Sequence, residues 1–272
     1  MMSKNDIRVA IVTGASSGIG RATALALRQA GYRVFGTSRK AFPASADGIT
    51  MLTCDVTDDD SVQNMVAAVL GAAGRIDLLV NNAGIGLFGA AEESSAAQAR
   101  ALFDVNVFGV LRVTNAVLPE MRRQKRGRII NMSSVLGLVP SPYSALYAST
   151  KHAVEGYSES LDHELRTHGI RVVLVEPAVT RTSFEDNTIR PDRELPVYDS
   201  DRARIHALLP AMIAAGDAPE RVAATVLKAA TEIVPKRRYA AGKHASQVRF
   251  LRRYLPESFL DKAIRKFNQL PA

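Results

Sequence analysis

The chain has 272 residues, 47% of them hydrophobic and 23% charged, with 18 glycines, 12 prolines and one cysteine. That composition belongs to a globular protein and excludes a disordered tail or a collagen-like fibre. The formal net charge of +8 lies at the C-terminal end: residues 236–272 hold ten Lys and Arg against Glu257 and Asp261, while residues 1–235 balance.

A neutral body with a basic end argues against a nucleic-acid-binding domain, whose charge is expected on a folded reading surface. No run is expected to reach the roughly 20 apolar residues that span a bilayer. No secretory leader is predicted at the N-terminus. Cys54 alone forms no internal disulfide, so a reducing, cytoplasmic compartment is the expectation.

Residues 7–13 (IRVAIVT) predict a strand that opens into glycines. A helix is predicted over 18–30, ending at Gly31, then strands over 33–37 and 49–54. Residues 58–73 predict a helix starting near Asp58 and ending before Gly74. Strand 76–80 follows, then one long helix over 96–123 that tolerates Pro119 near its end. Strand 128–132, helix 145–168, Gly169 and strand 170–175 come next. Residues 182–216 show no clear periodicity. Helix 217–233 and strand 238–241 precede the basic end. Strands alternating with helices predict a parallel sheet covered on both faces, and its buried strands should be continuous apolar runs, as these are. No linker divides the chain. The fold expected is one α/β doubly wound, Rossmann-type domain over 1–272, with a mostly parallel seven-stranded sheet.

The turn Thr13-Gly14-Ala15-Ser16-Ser17-Gly18-Ile19-Gly20 follows the first strand and starts a helix. This is the context of a dinucleotide site, where glycines let the backbone approach a pyrophosphate at a helix N-terminus. The end of the second strand chooses between cofactors. NAD sites place an acid there for the ribose hydroxyls. This chain has Ser38-Arg39-Lys40 instead. Arg39 can pair with a 2′-phosphate through charge-assisted bonds, with Ser16 and Ser38 as hydroxyl donors, so NADP(H) is the cofactor expected.

Tyr147 and Lys151 lie one turn apart on a predicted helix. An ammonium near a phenol lowers its pKa, which suits a general acid or base for carbonyl and alcohol chemistry. Asn131-Met132-Ser133-Ser134 and Asn81-Asn82-Ala83-Gly84 end two strands at the carboxyl edge, where such sheets bind ligands. Asn106 stands inside an apolar helical stretch, a place where asparagine is disfavoured.

Taken in order, the glycine turn, Asp55-Val56, Asn82-Ala83-Gly84, Asn106, Ser134, Tyr147 and Lys151 resemble the short-chain dehydrogenase/reductase family, densely over residues 7–182. The sequence around Gly84–Phe88 and Ser133–Tyr147 is similar to the 17β-hydroxysteroid and retinol dehydrogenase branch. The resemblance implies hydride transfer between a nicotinamide and a carbonyl or alcohol, without metal. It implies that Tyr147 is the acid/base and that Lys151 lowers its pKa and holds the nicotinamide ribose. Ser134, at the family spacing to the tyrosine, would hold the substrate oxygen, and Asn106 a water in a proton relay. Gly14, Ser16, Ser17, Gly18, Ile19, Gly20, Ser38, Arg39, Asp55, Val56, Asn82, Ala83 and Gly84 would hold the adenosine and phosphate side. Pro177, Val179 and Thr182 would hold the nicotinamide side. Ala178 departs from the family's common glycine, and alanine lacks glycine's freedom at positive φ.

By the same resemblance, residues 183–216 close over substrate, with Leu208, Leu209, Met212 and Ile213 as an apolar stripe. Ile85, Leu87, Phe88, Leu136, Val139 and Tyr143 stand near the cleft, which suits a hydrophobic carbonyl or alcohol substrate. His206 is expected at the surface. A homodimer or homotetramer through helices 96–123 and 145–168 is expected. The basic segment 236–272 includes Val248–Phe267, a basic amphipathic stretch that either lies on an anionic membrane or packs its apolar side on the domain. Packing is the reading taken. The rival function is a non-catalytic NADP(H)-binding sensor, which would not need Tyr147 and Lys151.

Overall fold

Val9–Val12 forms the first strand, β1, and all four residues are buried. Successive side chains of a strand point to opposite faces. Val9 and Ile11 therefore pack into one core with Phe35, Met65, Val113 and Val117, while Ala10 and Val12 pack into another with Leu27, Val34, Val175 and Val226. The computed structural model describes residues 7–41, 47–182, 184 and 187–270. Of the segment expected to cover the substrate, residues 183, 185 and 186 lie outside these.

In chain order β1 is followed by α1 (Gly18–Gln29), β2 (Arg33–Ser38), β3 (Thr50–Thr53), α2 (Asp59–Ala73), β4 (Leu78–Asn81) and the short β5 (Gly86–Leu87). Next come α3 (Ala96–Phe103), α4 (Gly109–Arg123), β6 (Gly127–Met132), α5 (Ala145–Leu165), β7 (Ile170–Pro177) and the short β8 (Thr188–Ile189). The chain continues with α6 (Asp199–Ala214), α7 (Pro219–Thr231), β9 (Arg238–Ala241), α8 (Lys243–Tyr254) and α9 (Glu257–Phe267). Seven strands form one sheet in the order β3-β2-β1-β4-β6-β7-β9, every neighbouring pair parallel. The order reverses between β1 and β4, and ligands of such sheets bind at the carboxyl side of that point. Asp58 caps α2 by accepting from the Ser61 amide at 2.6 Å, and Gly74 ends it in the left-handed region.

The helix predicted over 96–123 is interrupted. Residues Asp104–Phe108 form a π turn between α3 and α4. The whole run Ala96–Arg123 spans 28 residues with a stretch of mean hydropathy 1.4, long and apolar enough to cross a membrane. That corrects the expectation that no run approaches this length. Here Leu102, Val113, Val117, Leu118 and Met121 of the run are buried, the last four in the core on one face of the sheet.

The segment without periodicity contains α6, which buries only Arg202 and Ile205 and carries Pro210. Leu208, Leu209, Met212 and Ile213, the expected apolar stripe, all lie on α6 and are half-buried. The C-terminal segment also differs from expectation. Only part of its apolar side packs on the domain: Ala245 and Leu260 are buried and Val248 and Ile264 half-buried, while Phe250, Tyr254, Phe259 and Phe267 are exposed. Two short helices meet at Leu255-Pro256 and turn the larger rings outward.

Candidate active site

The glycine turn is built for close approach. Gly14 takes φ +65°, and a Cβ there would lie 3.0 Å from the Ala83 Cα. A Cβ on Gly20 would overlap the Gly14 carbonyl oxygen and Asn82 Nδ2. Asn82 Nδ2 donates to the carbonyls of Thr13 (2.9 Å) and Gly14 (3.1 Å), and Thr13 Oγ1 accepts from the amides of Asn82 and Ala83, both at 3.0 Å. The ends of β1 and β4 are thus laced together under the turn. No acid stands in the first turn of α1, so the positive end of its dipole is not offset there. Ser16, Ser17, Gly18 and Ile19 belong to this turn, and the Thr182 side chain sits against Gly18. A pyrophosphate fits such a turn, whose glycines let β1, the start of α1 and the loop after β4 come together where side chains would collide.

At the end of β2, Ser38 is half-buried and accepts from the Lys40 amide at 3.3 Å, and Arg39 is exposed. Asp55 is held below the usual carboxylate range by the Thr57 amide, with the Arg39 charge contributing. Val56 is buried and packs in the core. Pro177 ends β7, Val179 is exposed, and Thr182 Oγ1 accepts from the Phe184 amide at 3.2 Å. Among the described residues, the non-glycines at positive φ are Lys125, Tyr143 and Gln269. Ala178 is not one of them, so alanine in place of glycine strains nothing there.

At the reaction centre, Tyr147 and Lys151 sit on the first turns of α5, facing the ends of β6 and β7. Ser134 stands just past β6 and acts on the Tyr147 phenol to lower its pKa, and Ser134 Oγ accepts from the Leu136 amide at 3.1 Å. The neighbouring Ser133 Oγ is buried without a partner in this structure. Lys151 Nζ donates to the Met132 carbonyl at 2.9 Å and lies 5.5 Å from the Tyr147 ring centroid. Burial is the larger influence on both groups. It pushes the Tyr147 phenol up, against the influence of Ser134, and brings Lys151 down to about 8 against the pull of Glu155. The spacing alone predicts a phenol lowered by the lysine. In the structure the ammonium lies beside the ring and bonds a carbonyl, and burial acts on the phenol in the opposite direction.

Asn106 stands in the π turn, a feature frequent at functional sites. It is buried rather than solvated or capping. Its Oδ1 accepts from the Ile85 amide (2.9 Å), and Nδ2 donates to the Ile85 carbonyl (2.9 Å) and Thr150 Oγ1 (3.2 Å). Thr150 Oγ1 in turn donates to the Tyr147 carbonyl at 2.7 Å. The loop after β4, with Ala83 and Gly84, is thereby tied to the helix of Tyr147. Thr13, Asn81 and Asn131 stand in motifs quoted from the sequence but carried no role there, and Thr150 and Ser158 were not singled out; Asn81, Asn131 and Ser158 form a buried relay. Asn81 Nδ2 donates to Asn131 Oδ1, and Asn131 Nδ2 to Ser158 Oγ, each at 2.8 Å. The available signal was a polar residue ending an apolar strand in register with another.

The cover is clamped to the loop that follows β4. β5 pairs with β8, Gly86 opposite Thr188. The buried Glu93 carboxylate pairs with Arg202 of α6 and accepts from the amides of Ala90 (2.9 Å) and Leu195 (2.8 Å). Burial alone would raise Glu93, but these bonds hold it below the usual range. Beneath the cover the rings are Phe184, 5.9 Å from Tyr147, and Tyr143, 6.3 Å from Phe88 and 6.1 Å from Tyr198. Tyr143 takes φ +61°, a conformation retained at few non-glycine positions. His206 is exposed, as expected, but its ring meets Phe88 edge-on at 5.4 Å. Ile85, Phe88 and Leu136 are half-buried near this space, whereas Leu87 and Val139 are buried as packing residues. Among the described residues no cluster of side chains suits a metal.

Residues 8–193 match the short chain dehydrogenase family model. The chain belongs to the short-chain dehydrogenase/reductase family. It is 38% identical over 267 residues to a 3-ketodihydrosphingosine reductase of Bacteroides thetaiotaomicron, covering 96% of this chain and 97% of that one. It is also 38% identical over 210 residues to retinol dehydrogenase 8 of Bos taurus, covering 71% and 66%. A short-chain dehydrogenase structure from Streptomyces avermitilis superposes with TM-score 0.81 at 33% identity, covering 97% and 96%. Related structures carry either nicotinamide: a metagenomic short-chain oxidoreductase holds NADP (TM-score 0.69, 30% identity, 88% and 98% covered), and one from Burkholderia phymatum holds NAD (0.78, 29%, 92% and 94%). This member of the family is an oxidoreductase acting on alcohol or carbonyl groups.

Proposed function

We propose that the protein is an NADP(H)-dependent carbonyl reductase, reversible as an alcohol dehydrogenase, for lipophilic ketones or aldehydes. The observation that carries the reading is Lys151 beside the Tyr147 ring, with Ser134 just past β6 and the rings of Phe88, Tyr143 and Phe184 around them. Gly14, Ser16, Ser17, Gly18, Ile19, Gly20, Asp55, Val56, Asn82, Ala83, Gly84, Pro177, Val179 and Thr182 would hold the cofactor, with Lys151 on its ribose. Ser38 and the exposed Arg39 would take the 2′-phosphate, a charge-assisted contact that no acid opposes at this strand end. When bound, the cofactor supplies the hydride.

The chain's own residues supply the rest. Ser134 Oγ and the Tyr147 hydroxyl donate to the substrate oxygen and stabilise the charge it develops. A phenol pushed up by burial keeps its proton at neutral pH, the form that reduction needs. That proton passes to the substrate oxygen, and Lys151, with the site built around Asn106, restores it. The aromatic cover excludes water and takes an apolar substrate. One curated relative is named for 3-ketodihydrosphingosine and another for retinol, in keeping with a lipophilic substrate. Phe108 and Leu111, exposed on the 96–123 run, suit the contact of a homodimer or homotetramer. A cytoplasmic setting is part of this reading.

The test is loss of NADPH absorbance with a series of hydrophobic ketones and aldehydes, NADH alongside. Turnover with NADPH, faster for longer apolar chains, is expected. A preference for NADH would overturn the cofactor assignment. NADPH binding without turnover of any member of the series would favour the sensor.

A further inference from the structure

The two C-terminal helices present a surface that the active site does not use. On α8, Phe250 is 62% and Tyr254 64% exposed, their rings 4.9 Å apart; on α9, Phe259 is 63% and Phe267 64% exposed. Leu251 and Leu255 are exposed between them. The spacing 250/254 and 259/267 sets each pair along one side of its helix. Arg252, Arg253, Lys262 and Lys266 are exposed among these rings, and Arg253 lies over Tyr254 at 5.7 Å from its centroid. Glu257 and Asp261 are the only acids from residue 236 onward. Solitary exposed apolar residues need no explanation, but four exposed rings with two exposed leucines on two consecutive cation-rich helices do.

Its place in the fold matters as much. α8 follows β9, the strand beside β7, and packs against the turn 135–137 that comes directly after Ser134. The chain beyond α9 reaches the covering helix, where Arg204 Nη1 of α6 donates to the Gln269 carbonyl at 2.7 Å. The surface is therefore attached to both sides of the substrate space.

We propose that the α8–α9 surface docks the protein on an anionic lipid bilayer, seating the substrate space at the membrane. Charge decides among occupants. A second copy placed on this surface about a two-fold axis would bring the same excess of Arg252, Arg253, Lys262 and Lys266 over Glu257 and Asp261 to both sides of the contact. An anionic leaflet supplies the opposite charge to the cations, and its headgroup boundary accepts Phe, Tyr and Leu side chains. This inference does not depend on which carbonyl compound is reduced.

The test is co-sedimentation of the full chain with vesicles of phosphatidylcholine alone or mixed with phosphatidylserine. Binding to the mixed vesicles at least about tenfold stronger than to phosphatidylcholine is expected, weakening as salt screens the surface. The variant Phe250→Ser/Tyr254→Ser/Phe259→Ser should lose about tenfold or more of that binding, with Tm and NADPH affinity unchanged. Arg252→Gln/Arg253→Gln/Lys262→Gln/Lys266→Gln should abolish the preference for phosphatidylserine. Failure of the wild-type chain to sediment with either vesicle overturns the proposal, as does equal binding by the serine variant. A fall in oligomeric mass of the serine variant on size exclusion, without lipid, gives the surface to a second copy and also overturns it.

Discussion

Asn106→Ala removes three hydrogen bonds at once. Asn106 is 1% exposed, and its amide serves the Ile85 N–H, the Ile85 carbonyl and Thr150 Oγ1. At about 1 kcal/mol net for each bond, the loss is about 3 kcal/mol. For chains of this size each kcal/mol moves Tm by roughly 2–4 °C, so a fall of about 6–12 °C is expected. Turnover should fall further than stability explains, because the same side chain ties the loop after β4 to the turn that carries Tyr147. Asn106→Asp separates the donors from the acceptor. It keeps an oxygen for the Ile85 amide but sets a carboxylate against the Ile85 carbonyl. Burial and that opposition raise the carboxyl's folded pKa above its unfolded value. The variant's stability is then greatest below the unfolded pKa and is lost as pH rises through the folded one. Thermal melts by circular dichroism over a pH series, with kcat measured at each pH, test both variants. An Asn106→Ala melt within about 2 °C of wild type would refute the reasoning, since three such bonds would then be worth almost nothing.

Four further outcomes are expected. Tyr147→Phe should lower kcat by about 10²–10⁴-fold while NADPH binding, read by fluorescence titration, is kept. Arg39→Ala should reduce the kcat/KM preference for NADPH over NADH by roughly ten- to hundredfold, the worth of charged hydrogen bonds at about 1.5–3 kcal/mol. Glu155 raises Lys151, which burial has brought down to about 8, so Glu155→Gln should let the lysine lose its proton at lower pH; the alkaline limb of kcat/KM should move to lower pH. Glu176, fully buried at the end of β7, is raised by burial and by the Glu155 charge to about 7. A raised carboxyl contributes stability that is full in acid and is lost as pH rises through about 7, and Glu176→Gln should flatten that part of the Tm profile.

Much of the fold was legible because its signals are local. The apolar runs, the glycines after helices and the Asp58 cap each depend on neighbouring residues. The run 96–123 read as one helix because a π turn leaves the apolar pattern nearly intact. The cover was illegible for the opposite reason. α6 buries a charged residue, Arg202, and its partner Glu93 lies over a hundred residues away, so no window along the chain contains both.

The candidate site divides the same way. By itself the sequence determined which chemical groups are present and their order: the glycine turn, Ser134, the Tyr147–Lys151 turn of helix, Arg39 at the end of β2, and the charge of the last segment. Only the tertiary structure decided what surrounds them. Lys151 bonds the Met132 carbonyl beside the Tyr147 ring; Asn106 bonds backbone and Thr150 from inside a π turn; and the rings of α8 and α9 face outward. Residue type and spacing are written in covalent order, whereas desolvation and long-range partners exist only once distant segments share one interior.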